Sequence, residues 1–161
     1  MPHSKYAAYA PAAPYFDLVR GALGDLVDGE HFFDSVAENI AYEVLYEFPG
    51  WPRLTSGRAA LMSAFRGYVD NVALHATSHL VTHHADNGGV VVLEYEVHGT
   101  ILATGRAYHN RFCSIVTIAN RKIVHWRDYM DSLAAWNAFT ASETRRETGG
   151  STPVSRRTAQ Q

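Results

Sequence analysis

One carboxylate stands out in this sequence because of its neighbours. Asp128 falls within Lys122–Met130, where residues alternate between apolar and polar as in a strand. A tight turn near residues 119–121 would pair this strand with the preceding one, so that Phe112 faces Asp128 and Leu93 faces Phe112. A carboxylate held between apolar side chains loses hydration, which raises its pKa toward neutrality. Such a group can both take and give a proton.

The same alternation gathers further side chains on the face that carries Asp128. If the preceding hairpin turns near Ala103, Tyr95 lies opposite Asn110, and Tyr42 joins this face from an earlier strand. Hydroxyl and amide groups at these positions can stabilise an oxygen that becomes negative during a reaction. We therefore predict Asp128, Tyr42 and Tyr95 as catalytic residues, and a pocket wall formed by Val44, Tyr46, Leu93, Val97, Asn110, Phe112 and Met130.

A structural role is the alternative for Asp128. Paired with an arginine such as Arg106, its carboxylate would only hold the sheet together, and its pKa would fall. The apolar neighbours predicted for Asp128 favour the functional interpretation.

The opposite face of the predicted sheet has a mixed, charged and aromatic composition. Such a face suits solvent or contact with a second copy of the chain, and an aromatic face is seldom left bare. We therefore predict a homodimer through residues such as Arg111, His125, Arg127 and Tyr129. Cys113 shares this face, which argues against a nucleophilic role in the pocket.

The histidines do not predict a metal site. His75 and His79 have the spacing of two zinc ligands on a helix, but they fall where a predicted helix gives way to a strand. His83 and His84 are adjacent on a strand, so at most one of them reaches the pocket. The sequence also lacks a glycine-rich phosphate loop and a nucleophile elbow. We therefore predict no metal and no cofactor.

Hydrophobic periodicity predicts the elements that position these groups. Steps of three and four residues indicate a helix from about Pro14 to Gly29, a short helix at residues 31–37 and a helix capped by Ser56. Period-two alternation and turn signals predict strands at residues 39–48, 79–86, 90–100, 106–118 and 122–130. A short closing helix is predicted at residues 133–139. Helices over one face of a curved mixed, mostly antiparallel sheet form an α+β cone with a small-molecule pocket.

Composition limits the possible partners. A chain of 161 residues that is 47% hydrophobic forms one domain with a core, predicted at residues 14–139 between a loose segment 1–13 and a disordered tail 140–161. A net charge of −2 gives no attraction to nucleic acid or an anionic membrane. With one cysteine, no signal peptide and no membrane-length apolar run, the expected compartment is the cytoplasm.

The stretch from Lys122 to Asp131, Lys-Ile-Val-His-Trp-Arg-Asp-Tyr-Met-Asp, resembles the last strand of the nuclear transport factor 2-like superfamily, in particular its SnoaL-like polyketide cyclase and limonene-1,2-epoxide hydrolase branches. The resemblance covers about residues 14–139 and implies the same cone. Asp128 and Tyr42 match an Asp and a Tyr of the epoxide hydrolases. Val44, Tyr95 and Val97 stand where those enzymes have an Asn, an Arg and an Asp. Ketosteroid isomerases carry their base at the position of Val44, so that role is not retained.

The leading interpretation is a cofactor-free enzyme acting on a small, hydrophobic, oxygenated compound. Proton transfer by Asp128 would drive isomerisation, cyclisation or dehydration. The alternative is a non-catalytic ligand-binding or dimerisation module of the same fold, and epoxide hydrolysis is the third possibility.

Overall fold

A computed structural model describes residues 5–140 of the chain. Residues 1–4 and 141–161, which include all but the first residue of the tail predicted at 140–161, lie outside the described part. It contains one six-stranded sheet and four α-helices, with 3-10 turns at Ala7–Ala12, Gly24–Leu26 and Asp86–Gly88. The helices are α1 (Ala13–Leu23), α2 (Phe32–Ser35), α3 (Arg58–Val69) and α4 (Ser132–Thr140). The strands are β1 (Val36–Val44), β2 (Leu54–Ser56), β3 (Val72–Ala85), β4 (Val90–Ile101), β5 (Arg106–Ala119) and β6 (Lys122–Met130).

The strands lie in the order β2-β1-β6-β5-β4-β3. Every neighbouring pair is antiparallel except β1 and β6, which run parallel. The sheet is curved and unclosed, and the predicted α+β fold is confirmed. No helix within residues 5–140 is long and apolar enough to cross a membrane.

The core lies between the sheet and helices α1 and α3. Alternate residues of β4 are buried, as the period-two pattern predicts, and Leu93 has no exposed surface. The ring of Tyr15 on α1 lies 6.0 Å from that of Tyr95 and 6.4 Å from that of Trp126, so α1 crosses both β4 and β6. This contact brings the first helix against the strands that carry the candidate site.

The registers of the β4–β5 and β5–β6 pairs differ from prediction. Asp128 pairs with Ser114 instead of Phe112, and Ser114 in turn pairs with Leu93. A two-residue turn at Asn120 and Arg121, both with positive φ, and a bulge next to Ile118 together shift the β5–β6 hairpin by two positions.

The β4–β5 shift has a similar cause. The loop at residues 102–105 is centred later than the predicted turn near Ala103. Tyr95 therefore pairs with Phe112, and Asn110 pairs with Val97. The predicted assignment of residues to the two faces of the sheet still holds, because each register moved by an even number of residues.

Other boundaries also differ from prediction. Strand β1 ends at Val44, so Tyr46 lies beyond it, and Ser56 is the last residue of β2, with Gly57 at the helix N-cap position. Strand β3 begins at Val72 and is much longer than predicted. Pairing with β4 along its whole length overrides the helical spacing of its first residues.

The N-terminal segment differs from the loose arrangement expected for residues 1–13. Its described part begins at Lys5 and contains the 3-10 turn Ala7–Ala12, in which Ala12 is fully buried. Tyr6 stacks on His31 with ring centroids 4.1 Å apart, and Tyr9 packs against Phe33. Aromatic packing therefore attaches this segment to the domain.

Candidate active site

A cavity of about 600 Å³ lies between the sheet and the helices. Its volume is that of a typical small-molecule site. Most of its wall is aromatic or aliphatic, and Asp128 is the only charged side chain that lines it within the described residues. The wall contains no histidine or cysteine in this part of the chain, so the cavity has no set of metal ligands.

The carboxyl group of Asp128 is buried in the cavity wall. The residue is 4% exposed. Its Oδ1 accepts hydrogen bonds from Ser114 Oγ at 2.5 Å and from the Trp126 indole nitrogen at 3.2 Å. Its Oδ2 accepts one from the Tyr42 hydroxyl at 3.2 Å. Within residues 5–140 no basic side chain forms an ion pair with Asp128, so the predicted alternative of an arginine partner does not apply.

These surroundings make the carboxyl group easy to protonate. Burial raises the pKa of Asp128 to about 6, although the donors on Ser114, Trp126 and Tyr42 oppose the shift by stabilising the ionised form. Oδ1 is occupied by two donors, one of which is an indole N–H that can only donate. The exchangeable proton therefore belongs on Oδ2, the oxygen next to Tyr42, and Tyr42 lines the cavity.

Tyr95 affects the site indirectly, through Ser114, because its side chain does not line the cavity. Its hydroxyl lies 3.0 Å from Ser114 Oγ, and the single Ser114 proton is directed to Asp128. Tyr95 therefore donates to Ser114, which fixes the orientation of that hydroxyl. The ring is buried and stacked on Phe112 with centroids 5.4 Å apart, and it is not part of the cavity wall.

Tyr15 adds a hydroxyl that sequence reasoning missed. Its side chain lines the cavity, and its Oη is buried without a hydrogen-bond partner of good geometry among the described residues. The hydroxyls of Tyr95 and Tyr42 are close enough to influence it, and burial, as the largest cause, raises its pKa well above the ordinary value. An unpaired buried hydroxyl is costly, so a ligand oxygen gains by accepting from it.

The predicted wall residues divide into two groups. Val44, Tyr46, Val97 and Phe112 line the cavity together with Tyr42 and Asp128. Leu93, Asn110 and Met130 do not line it. Leu93 is fully buried, and the Asn110 amide donates to Tyr108 Oη at 2.9 Å and contacts the sulfur of Met130.

The sequence held partial signals for the missed residues. Trp126 is two residues before Asp128 on the same strand, so alternation alone places both on one face. Tyr15 is four residues before Val19 on the apolar stripe of α1. Ser114 could be recognised only with the correct register.

The cavity mouth is aromatic. Trp51 and Trp136 line the cavity and are 37% and 45% exposed, so they mark its opening. Phe48 packs against both indoles, with centroids 4.6 Å from Trp51 and 6.3 Å from Trp136. The entrance therefore lies between the loop after β1 and helix α4, and it favours apolar molecules.

The family model of the SnoaL-like domain matches residues 24–126, a span that ends two residues before Asp128. The uncharacterized protein YesE of Bacillus subtilis (strain 168) is 26% identical over 113 residues, which cover 70% of this chain and 77% of YesE.

Solved structures share the fold. A candidate isomerase from Bacillus subtilis has a TM-score of 0.65 at 21% identity, over 81% of this chain and 92% of its own. A candidate polyketide cyclase from Pseudomonas putida KT2440 has a TM-score of 0.60 at 16% identity, over 82% of this chain and 92% of its own. At these identities the likeness concerns the fold alone.

Proposed function

The chain belongs to the SnoaL-like domain family of the nuclear transport factor 2-like superfamily, and we propose that it is an enzyme whose Asp128 moves a proton within a small, hydrophobic, oxygenated compound. The reaction class is isomerisation, cyclisation or dehydration. The proposed site consists of Asp128, Tyr42 and Tyr15 in contact with the ligand, with Ser114, Trp126 and Tyr95 as positioning residues.

One observation carries this proposal: a buried carboxyl group without a cationic partner in the described residues lines an apolar cavity. A carboxylate that only stabilises a fold normally has a positively charged partner, because an unpaired buried charge is costly. Asp128 has neutral donors instead, and its pKa of about 6 lies close to neutral pH. A group that titrates there serves as an acid and as a base in one cycle.

The geometry suggests the order of events. A ligand carbonyl oxygen would accept a hydrogen bond from Tyr15, beside Tyr42, while Oδ2 of ionised Asp128 takes a proton from the neighbouring carbon. The electron pair of the broken C–H bond moves into an enolate, whose oxygen the Tyr15 hydroxyl stabilises, since the Tyr42 proton is donated to Asp128. Return of the proton from Asp128 to another carbon completes an isomerisation. Transfer of that proton instead to a β-hydroxyl group, which leaves as water while the enolate electrons form the C=C bond, completes a dehydration.

A non-catalytic ligand-binding module is the second candidate. Val44 and Val97 supply only hydrocarbon where related enzymes carry polar groups, so the cavity has few groups to direct a reaction. Epoxide hydrolysis is the third candidate function, because neither Val44 nor Val97 can hold the attacking water.

Hydrogen exchange distinguishes the enzyme from the module without knowledge of the product. A set of small hydrophobic ketones and esters is incubated with the protein in D₂O, and mass spectrometry records deuterium uptake next to the carbonyl. We expect uptake with the wild-type protein and none above background with Asp128→Asn. The matched control is Asp17→Asn, which removes an exposed carboxylate on α1 and should exchange like wild type.

Binding of the same compounds is measured by tryptophan fluorescence, since Trp51 and Trp136 lie at the mouth. Compounds that bind wild type and Asp128→Asn equally but exchange with neither would refute the enzyme and favour the module. Equal exchange by wild type and Asp128→Asn would refute the role of Asp128.

The homodimer stays a proposal. Arg111 and Tyr129 are exposed on the outer sheet face, and His125 and Arg127 are half-buried there. Tyr129 at 40% exposure offers an aromatic contact to a second copy. Sedimentation should give twice the 17.8 kDa chain mass, and a monomer at micromolar concentration would refute the interface.

A further inference from the structure

The sheet face opposite the cavity carries a cluster of three histidines around one glutamate. Oε2 of Glu96 lies 3.0 Å from His109 Nε2, 3.2 Å from His79 Nδ1 and 3.9 Å from His98 Nε2. The ligand atoms of Glu96, His98 and His109 all lie within 4.8 Å of one another. We propose that this histidine cluster is a binding site for a zinc ion, independent of the cavity and of the reaction proposed for it.

The residue types and spacings suit zinc. Imidazole nitrogen and carboxylate oxygen are among its usual protein ligands, at about 2.0–2.2 Å from the metal, which separates tetrahedral ligand atoms by roughly 3.3–3.6 Å. The contacts of Glu96 Oε2 with His109 and His98 bracket that separation. The Glu96 carboxylate offers the negative charge that a divalent cation requires, and its Oε2 lies at the centre of the three histidines.

The backbone of β3 brings a fourth ligand to the cluster. Ser78 pairs with Glu96 and Val81 pairs with Glu94, so His79 and Leu80 together oppose the single residue Tyr95. His79 has a φ of 54°, a left-handed conformation that is unusual for a residue with a side chain. Regular alternation would send His79 to the face opposite Ser78, whereas the bulge keeps it beside Glu96. Strained positions of this kind concentrate at functional sites.

In the single chain the other neighbours leave the cluster open to solvent, beside Arg111 of the face proposed for the homodimer. His79 and His109 have side chains that are 77% and 53% exposed, so an ion can reach them. The cross-strand neighbour of Glu96, Arg111, contacts Asp131 at 3.7 Å instead. Ion binding requires two adjustments. The rings of His98 and His109 stack at 4.6 Å and 5°, and they must rotate so that both nitrogens point at one centre. His98 Nε2 must also give up its contact with Ser78 Oγ, which lies 2.7 Å away.

Calorimetric titration of the tag-free full chain with ZnSO₄ tests the proposal. We expect one zinc ion per chain in the wild-type protein. Single substitutions Glu96→Gln, His98→Gln, His109→Gln and His79→Gln should each weaken binding by more than about tenfold, since even indirect partners of a metal site have effects of that size. The matched control is His84→Gln, which removes an exposed histidine of β3, the strand of His79, outside the cluster. It should leave the zinc affinity unchanged.

Thermal melts without zinc check that each variant is folded, which is expected because the changed side chains are partly or largely exposed. Wild-type affinity in the Glu96, His98 or His109 variant would overturn the proposal. So would a stoichiometry of one ion per two chains, or no heat of binding at 100 µM zinc. Unchanged affinity in His79→Gln alone would overturn its place as the fourth ligand.

Discussion

Replacing Asp128 by asparagine should stabilise the protein at neutral pH. The amide oxygen can accept from Ser114 and Trp126 as Oδ1 does, and the amide nitrogen can donate to the Tyr42 hydroxyl. The variant thus keeps the contacts of the neutral carboxylic acid and removes the cost of ionising it in a buried site. A structural carboxylate would behave in the opposite way.

The size of the effect follows from the pKa of Asp128. A pKa of about 6 in the folded chain, against an ordinary 3.8 in the unfolded chain, corresponds to about 3 kcal/mol. The sign is unfavourable to the folded state, because the folded chain holds the proton more tightly. The cost is small below pH 3.8, grows as the pH rises, and is complete above pH 6. At pH 4 only about 0.5 kcal/mol of it is present.

Thermal melts of wild type and Asp128→Asn at a series of pH values measure this difference. At pH 7.5 the variant should melt roughly 6–12 °C higher, from about 2–4 °C per kcal/mol for a chain of this size. The gap should nearly close at pH 4. Other carboxylates titrate in both proteins and cancel, and Asp17→Asn controls for the loss of one negative charge. A variant that melts lower at pH 7.5, or a gap that does not change with pH, would refute the assignment of Asp128 as a desolvated acid.

Two further substitutions test the neighbours of Asp128. Tyr15→Phe removes a buried hydroxyl without a partner among the described residues, so the melting temperature should stay level or rise. Deuterium exchange should fall about 100-fold. A clear loss of stability with full exchange would contradict this. Ser114→Ala removes the shortest donor to Asp128 and leaves Tyr95 unpaired. The pKa of Asp128 should rise above 6, as read from its ¹³C carboxyl resonance, with a loss of about 1–3 kcal/mol in stability; an unchanged resonance midpoint would contradict the pairing.

Sequence patterns predicted the faces of the sheet better than the contacts on them. Period-two alternation assigned Asp128, Tyr42 and Val97 to the inner face correctly, because both registers moved by two residues and an even shift preserves the face. Which residue touches Asp128 depends on the bulge near Ile118, and a bulge leaves no periodic signal. Phe112 was therefore predicted where Ser114 lies.

Contacts between distant elements were also beyond the sequence. The unpaired hydroxyl of Tyr15 has meaning only once α1 crosses β4 and β6. The histidine cluster likewise depends on contacts between distant residues, because His79, Glu96 and His109 come from three different strands. It also depends on the bulge that keeps His79 beside Glu96. The helical spacing of His75 and His79 has no meaning in the structure, because both residues lie on β3.

The parallel pairing of β1 with β6 has a consequence for how the chain folds. Val44 and Asp128 are register partners although 84 residues separate them, and the Leu45 amide donates to the Asp128 carbonyl at 2.8 Å. During synthesis β1 leaves the ribosome long before β6 exists, and closing so long a loop is entropically slow. The meander of β3–β6 can form from local hairpins, whereas the Tyr42–Asp128 contact must form late. The acid site is thus completed by the slowest long-range step, so a ribosome-bound chain that stops before Lys122 should bind no cavity ligand.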